Sequence, residues 1–164
     1  MSDVFNLLEG ELPDVEERAG YKHRRAPVGR TLGAELLGAT LYETPPGEQL
    51  WPYHWELGCE EFAVVLSGMP TLRTPEGERD LAPGDFVHFP QGAAGAHTFL
   101  NRSAAAFRVL IGSTKSDLAV AGYPDSGKVY ISAPKHDFDR VVPDQPLDYW
   151  DGEDNGLGGS KRGG

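Results

Sequence analysis

The sequence predicts an all-β fold in which short strands form an antiparallel sandwich or barrel. Glycine and proline are frequent, with 21 Gly and 13 Pro among the 164 residues, about a fifth of the chain. Between residues 36 and 112, short apolar or alternating runs recur about every eight residues and end at Gly or Pro. Helical periodicity is weak throughout, and the best helical candidate is a single turn near residues 15–19. A chain of this length suits one domain with a hydrophobic core.

The strands can be assigned in order along the predicted barrel, residues 36–112. In chain order the runs are LLGATLYET, LWPYHWEL, EEFAVVLSG, TLRT, RDLA, FVHFP, HTFLN and AAFRVLIGS. Residues 1–35 are polar and predict an extended N-terminal arm, in which the alternating charges indicate a solvated edge. Residues 113–164 predict a C-terminal extension with two extended pieces, KVYIS and FDRVV, and a disordered tail from about residue 152.

The composition excludes several classes of partner and location. Acidic residues exceed basic residues by ten, so the net charge is −10. Nucleic acids and anionic lipids need a basic surface, so we expect neither nucleic acid nor a membrane as partner. The one cysteine, Cys59, excludes an internal disulfide and a cysteine-ligated zinc site. The N-terminal residues lack the features of a signal peptide, and no apolar run approaches the roughly 18 residues needed to span a bilayer. We therefore expect a cytoplasmic protein.

Four side chains of the barrel region suit a divalent metal ion. His54 and Glu56 lie two residues apart on one predicted strand, so they project to the same face. After the break at Gly58 the chain returns, so that Glu61 can face the same interior, and His97 comes from a later strand. Imidazole nitrogens and carboxylate oxygens are the usual ligands of divalent Mn, Fe, Ni and Zn. The sequence therefore predicts a candidate metal site built from three strands.

Two spaced motifs resemble those of the cupin superfamily, G-(x)5-H-x-H-(x)3–4-E-(x)6-G and G-(x)5-P-x-G-(x)2-H-(x)3-N. The positions that match the first motif are Gly47, His54, Glu56, Glu61 and Gly68. The positions that match the second motif are Gly84, Pro90, Gly92, His97 and Asn101. The resemblance implies a small single-domain cupin-2-like protein, folded as a double-stranded β-helix (a jelly-roll barrel) with N- and C-terminal arms. It also implies a homodimer that pairs through edge strands and arms.

This chain departs from the first motif in its metal ligands. Glu56 stands where the motif has its second histidine, so the ligand set implied by the resemblance becomes His54, Glu56, Glu61 and His97. Carboxylates bind divalent ions, and a site richer in oxygen favours Mn or Fe over Cu. The alternative is a metal-free barrel, in which two carboxylates share one cavity and repel each other. In addition, His54 comes one residue late after Gly47, and the loop before His97 is two residues longer than in the motif.

Two functions remain open from the sequence. The first is a divalent-metal-dependent enzyme, of oxygenase or isomerase type, that acts on a small organic molecule in the barrel cavity. The second is a metal-free or non-catalytic protein that binds or senses a small ligand. A fold of this kind does not choose between them, because function lies in the site. His88 is a candidate for proton transfer in the cavity, and its alternative position is the outer face of the sheet.

The aromatic side chains give expectations about what lines the cavity. If His54 faces inward, strand alternation places Trp51, Tyr53 and Trp55 on the outside, against a neighbouring sheet or subunit. We expect an apolar lining of the cavity from Phe62, Val64, Phe86, Phe99 and Phe107 or from their neighbours.

Overall fold

The computed structural model describes residues 4–149 and 151–152. Within these residues the chain forms thirteen β-strands, one short α-helix and two 3-10 turns. The strands are β1 (Asp14–Arg18), β2 (Tyr21–Ala26), β3 (Leu37–Thr44), β4 (Trp55–Leu57), β5 (Glu61–Ser67), β6 (Thr71–Thr74), β7 (Gly77–Asp80), β8 (Phe86–Phe89), β9 (Thr98–Leu100), β10 (Phe107–Thr114), β11 (Ala119–Tyr123), β12 (Lys128–Ala133) and β13 (Phe138–Pro143). The helix α1 is Val28–Thr31, and the 3-10 turns are Ala93–Gly95 and Pro134–His136.

The strands form three antiparallel sheets, which confirms the all-β prediction. The largest has six strands in the order β1-β2-β3-β10-β5-β8. The second has the order β13-β12-β11-β4, and the third has the order β7-β6-β9. Two isolated bridges, Gln49 to Leu100 and His54 to His97, extend the strand pairing beyond the named strands. Between β3 and β11 the chain passes to another sheet at every step except from β6 to β7, as in a jelly roll.

The main core lies inside the barrel and is almost entirely apolar. Strand alternation explains its composition, because inward residues of β5 and β10 are buried while their neighbours face outward. The buried members of this core are Leu50, Ala63, Val65, Leu72, Leu81, Phe89, Phe99, Phe107, Val109 and Ile111. Burial of each large aliphatic or aromatic side chain contributes about 1.5–3 kcal/mol, so this core is the main source of the barrel's stability.

The predicted N-terminal arm is part of the main sheet. The helical turn expected near residues 15–19 is wrong, because β1 and β2 form a hairpin there, and β2 pairs with β3. Cross-strand ion pairs, Lys22 to Glu17 at 3.0 Å and Arg25 to Asp14 at 3.7 Å, accompany the extended pairing of this charged segment. A second small core covers the outside of the sheet near the hairpin. Its buried members are Leu12, Ala26, Val28 and Leu41.

The segment after residue 112 also pairs with the barrel. The expected extended pieces at KVYIS and FDRVV are present as β12 and β13, and β11 pairs with the barrel strand β4. The tail expected from about residue 152 lies outside the described residues. Across the part of the chain that is described, no helix is long and apolar enough to cross a bilayer.

Candidate metal centre

The two histidines of the candidate site lie opposite each other across a strand pair. His54 N donates to His97 O at 3.2 Å, and His97 N donates to His54 O at 2.8 Å. This isolated bridge sits between β4 and β9, and it brings the ring centroids to 5.1 Å. Residues opposite each other in an antiparallel pair project to the same face, so both rings point into one space. Backbone pairing thereby brings together two motifs that are far apart in the sequence.

Each imidazole is oriented by a backbone carbonyl two residues earlier. His54 Nδ1 lies 3.0 Å from Pro52 O, and His97 Nδ1 lies 2.9 Å from Gly95 O. A carbonyl oxygen only accepts, so each Nδ1 carries the proton that it donates, and a ring in its neutral form then keeps a free lone pair on Nε2. The ring of Phe89 stacks on His97 at 3.6 Å between centroids. Backbone orientation of this kind is how metal-binding histidines are usually fixed.

Glu61 completes a group of three ligand atoms. His54, Glu61 and His97 each offer one ligand atom, and these atoms all lie within 4.8 Å of one another. His97 Nε2 lies 3.7 Å from Glu61 Oε2 and is a buried nitrogen without a hydrogen-bond partner. An unpaired nitrogen facing a carboxylate oxygen fits a cation between them, because both are electron-pair donors. The residues present therefore suit a divalent ion with nitrogen and oxygen ligands.

The predicted fourth ligand, Glu56, lies beside this group. Its Oε1 is 3.6 Å from His54 Nε2, while its Oε2 accepts a hydrogen bond from the Cys59 thiol at 2.6 Å. The cluster of three does not include Glu56. The sequence suggested no role for Cys59 beyond excluding a disulfide and a cysteine-ligated zinc site. In the structure its thiol donates a hydrogen bond to one oxygen of the Glu56 carboxylate.

The acidic and basic groups of the site influence one another strongly. Burial, and next the charge of Glu56, raise the pKa of Glu61 to about 7. Burial also acts to raise the pKa of Glu56, but the His54 imidazole and the Cys59 thiol outweigh it, so the pKa lies below its ordinary value. Burial, and next the His54 ring, lower the pKa of His97 to about 4. At neutral pH His97 is therefore neutral, which is the form that binds a metal.

A cavity of about 220 Å³ opens above these groups. Its lining residues are Tyr42, Trp51, Pro52, His54, Glu56, Glu61, Ile111 and Tyr123. The expectation that Trp51 faces outward is wrong, since its ring meets those of His54 and His97 edge-on at 5.9 and 6.0 Å. The chain is not a regular strand between residues 50 and 53, so alternation does not extend back through Pro52.

The other two aromatics of that run pack against their own chain. Tyr53 is buried beneath the guanidinium of Arg73, which lies 4.0 Å from the ring centroid. Trp55 covers the backbone of Gly122 on the neighbouring strand β11. The sequence predicted that Trp55 covers a neighbouring sheet or subunit, whereas in the structure it covers a neighbouring strand of its own sheet.

None of the five apolar residues named by the sequence prediction lines the cavity. Glu61 points inward, so alternation along β5 turns Phe62 and Val64 outward and Ala63 and Val65 into the core. Phe86 is 63% exposed and stacks on Phe62 outside the barrel.

Three further residues of the sequence predictions lie away from the cavity. Phe99 and Phe107 are buried in the core and do not line it. The side chain of His88, the candidate for proton transfer, is exposed and is not among the lining residues. Its position is the outer face, which the sequence left open as the alternative.

Tyr123 is a lining residue that the sequence did not identify. It ends β11 and stacks on His54 with 5.9 Å between ring centroids. The strand pattern AVAGY marks it as part of an extended segment, but only the long-range pairing of β11 with β4 brings it over the site.

Comparison with known proteins supports the motif assignment. The family model described as a cupin domain matches residues 40–112. A protein from Acidithiobacillus ferrooxidans, provisionally described as a sugar phosphate isomerase, is 30% identical with a TM-score of 0.70, over 76% of this chain and 78% of that one. A sugar phosphate isomerase of the cupin superfamily from Silicibacter pomeroyi is 23% identical with a TM-score of 0.74, over 90% and 98%.

More distant similarity shows the fold alone. The polyketide cyclase RemF from Streptomyces resistomycificus is 21% identical with a TM-score of 0.54, over 70% of this chain and 80% of that one. Among curated proteins, none matches this chain.

Proposed function

This chain belongs to the cupin superfamily, and from that premise we propose that it is a divalent-metal-dependent isomerase of a sugar phosphate. The observation that carries the metal dependence is the unpaired, buried Nε2 of His97, which faces the carboxylate of Glu61 beside His54. The isomerase activity is supported by the similarity, at 30% identity, to a protein so described. Of the two enzyme types that the sequence left open, this similarity favours the isomerase over the oxygenase.

In this proposal His54, Glu61 and His97 hold the ion. A divalent ion bound there would polarise a carbonyl oxygen of the substrate. The chain fixes the ligands before any ion arrives, since Pro52 O and Gly95 O orient the two imidazoles. Preorganised ligands lower the cost of binding, because their side chains are already ordered.

Glu56 is the residue that we propose moves the proton. Interconversion of an aldose and a ketose removes a proton from the carbon next to the carbonyl and returns it to the former carbonyl carbon, while the hydroxyl proton passes from one of the two oxygens to the other. Glu56 lines the cavity, and its lowered pKa keeps it ionised at neutral pH, which is the form that accepts a proton. The Cys59 thiol fixes one of its oxygens, so Oε1 is the atom free to face the substrate.

The enclosing side chains orient the sugar and limit water. Tyr42, Trp51 and Tyr123 form the apolar walls of the cavity, and each carries one polar group. Aromatic walls with few polar atoms are typical of sites that hold small ligands. The volume of about 220 Å³ suits the reacting end of a sugar and not a macromolecule.

The test begins with metal content. Purified protein is stripped with a chelator and reconstituted with Mn, Fe, Ni and Zn in turn, and elemental analysis measures the bound metal. We expect about one ion per chain with at least one of these metals. Failure to bind any of the four would contradict the metal centre.

The second arm of the test measures the reaction itself. The loaded protein is incubated with aldose phosphates in deuterated water, and NMR follows interconversion and deuterium incorporation next to the carbonyl. We expect metal-dependent turnover that Glu56→Gln abolishes without loss of metal. Bound metal without turnover of any sugar phosphate would contradict the isomerase and favour the non-catalytic ligand-binding function.

A further inference from the structure

A second cavity adjoins the candidate metal centre. Its volume is about 560 Å³, and it lies between the β1–β2 hairpin and the sheet that contains β11, β12 and β13. Trp51, Pro52 and Tyr123 line both this cavity and the one above the metal centre. A molecule that reaches the metal ligands can therefore extend past these three residues into the second cavity.

One wall of the second cavity is the inner face of the N-terminal hairpin. The register pairs Glu16 with His23 and Arg18 with Tyr21, and alternation turns these four side chains to the cavity. The intervening pair is Glu17 with Lys22. Because side chains alternate along each strand, Lys22 belongs to the opposite face of the hairpin.

The opposite wall carries a second cation. Lys128 begins β12 and lines the cavity, with its ammonium 5.6 Å from the centroid of the Tyr123 ring. Tyr130, two residues later on the same strand, also lines the cavity. Arg18 and Lys128 thus face the cavity from its two sides, in a protein whose net charge is −10.

His23 adds an unpartnered polar group to this cavity. The residue is 5% exposed, and its Nδ1 has no hydrogen-bond partner among the described atoms. The nearest charge is Glu16, whose Oε2 lies 3.9 Å from His23 Nε2. Glu16 also contacts Arg18, through Oε1 and Nε at 3.3 Å, which leaves the two terminal guanidinium nitrogens of Arg18 for another anion.

We propose that the second cavity binds the phosphate group of the substrate, with Arg18 and Lys128 as the cations that contact it. The proposal rests on the proposed function, and it assigns the other end of the same molecule. A pentose or hexose phosphate can carry its phosphate at the opposite end from the carbonyl carbon. Adjoining cavities, one with metal ligands and one with facing cations, match that separation of groups.

This division of the substrate between two cavities gives a role to the two segments outside the central barrel. The β1–β2 hairpin and the β11–β13 sheet supply the two walls of the phosphate cavity, whereas the barrel supplies the metal ligands. Neutral donors from tyrosine and histidine side chains complement the cations, since phosphate oxygens accept several hydrogen bonds. The Glu16 carboxylate would repel a bound phosphate, and its contact with Arg18 reduces that repulsion.

Equilibrium binding to the full-length protein tests this proposal. Isothermal titration at low salt measures the affinity of ribose 5-phosphate, with ribose as the unphosphorylated probe, for the wild type, Arg18→Gln and Lys128→Gln. The matched control is Lys22→Gln, which removes a cation from the other face of the same hairpin. We expect each site variant to weaken ribose 5-phosphate binding by about fivefold to tenfold and the control to change it by less than about twofold.

The outcomes separate this proposal from the proposed function. If the Arg18 and Lys128 variants bind ribose 5-phosphate like the wild type, or if Lys22→Gln weakens binding equally, the phosphate cavity is refuted, whether or not the enzyme turns over sugar phosphates. If the two site variants alone lose affinity, and the loss is absent for ribose, the cavity is supported even where no isomerase activity is found.

Discussion

Nε2 of His97 lies 3.7 Å from Oε2 of Glu61, in a site where the histidine is 1% exposed. Neither atom can donate to the other when the imidazole is neutral with its proton on Nδ1 and the carboxylate is ionised. Two buried electron-pair donors that face each other need a proton or a cation between them. Burial, and next the charge of Glu56, raise the pKa of Glu61, while the facing electron pairs of His97 and Glu61 make the same place a candidate metal centre.

Removal of the imidazole is expected to remove the metal. His97→Ala deletes a ligand that the backbone has already oriented, so we expect the affinity for the divalent ion to fall by more than about a hundredfold. Elemental analysis after reconstitution measures the loss, and circular dichroism verifies that the variant is folded. His88→Ala, which alters an exposed histidine on the neighbouring strand β8, is the control and retains the metal.

A companion variant discriminates between a three-residue and a four-residue ligand set. Glu56 lies outside the cluster formed by His54, Glu61 and His97. We therefore expect Glu56→Ala to retain stoichiometric metal, whereas a set of four ligands predicts a marked loss. Retention of full metal by both His97→Ala and Glu56→Ala would show that the ligand assignment is incorrect.

Glu61→Gln is expected to stabilise the metal-free protein at alkaline pH. The pKa of Glu61 is about 7 in the folded protein against an ordinary 4.5, so the folded state binds its proton more tightly. Stability is therefore lost as the pH rises from about 4.5 to 7, and above pH 7 the free energy of unfolding is lower by roughly 3 kcal/mol. Glutamine lacks this cost, so the melting temperature rises by several degrees at pH 8 and changes little at pH 4.5.

Thermal unfolding with a chelator present measures this effect. Glu60→Gln, a substitution at the exposed neighbouring position, is the control and leaves the melting temperature unchanged at both pH values. A lower melting temperature for Glu61→Gln at pH 8 would contradict the cost of burying the Glu61 carboxylate beside that of Glu56.

The outer face of the main sheet offers a contact for the expected homodimer. Phe86 is 63% exposed and stacks on Phe62 with 5.2 Å between ring centroids. The aromatics that alternation placed outside, Tyr53 and Trp55, pack on their own chain instead. We therefore place the expected contact at this exposed ring and its partly exposed partner.

Phe86→Asp is therefore expected to shift the protein from dimer to monomer. A charge at the centre of an apolar contact is left without a partner, which weakens association by at least about tenfold. Light scattering over a range of concentrations measures the mass. Met69→Asp alters an exposed apolar residue at the turn between β5 and β6 and is the control. An unchanged mass for Phe86→Asp would exclude this face as the dimer contact.

Much of the fold and the three clustered candidate ligands could be predicted from local sequence. Turn residues and short alternating runs predicted the strands from Leu37 to Thr114, because both signals act within a few residues. His54, Glu61 and His97 were identified through their spacing within two motifs. Strand alternation, applied from Glu61 along β5, turns Phe62 outward. The prediction that Phe62 lines the cavity failed because it relied on hydrophobicity and not on this alternation.

The remaining errors have longer-range causes. Alternation fails at Trp51 because the chain bends at Pro52, so a residue predicted outside lies against His54 and His97. Tyr123 reaches the cavity only through the pairing of β11 with β4, and no local pattern specifies that partner. Sequence spacing also could not show that Cys59 holds Glu56, since a thiol that approaches a carboxylate depends on the turn at Gly58.

Gly95 supports the metal centre through its backbone, which gives a final prediction. Its carbonyl accepts the Nδ1 proton of His97, and a Cβ on Gly95 would overlap the carbonyl oxygen of Pro90. Because that obstacle is backbone, Gly95→Ala must shift the turn that orients His97. We expect a loss of about 1–3 kcal/mol of stability and a metal affinity lowered by at least about tenfold.

Gly112→Ala provides the matched comparison. There a Cβ would overlap the ring of Phe62, a partly exposed side chain that can rotate away. We therefore expect a loss of stability of less than about 1 kcal/mol and an unchanged metal affinity. Chemical denaturation and metal titration of both variants measure the difference. The two substitutions add the same methyl group and differ only in whether the obstacle can move. If Gly95→Ala and Gly112→Ala bind metal equally well, the turn before His97 does not position its imidazole.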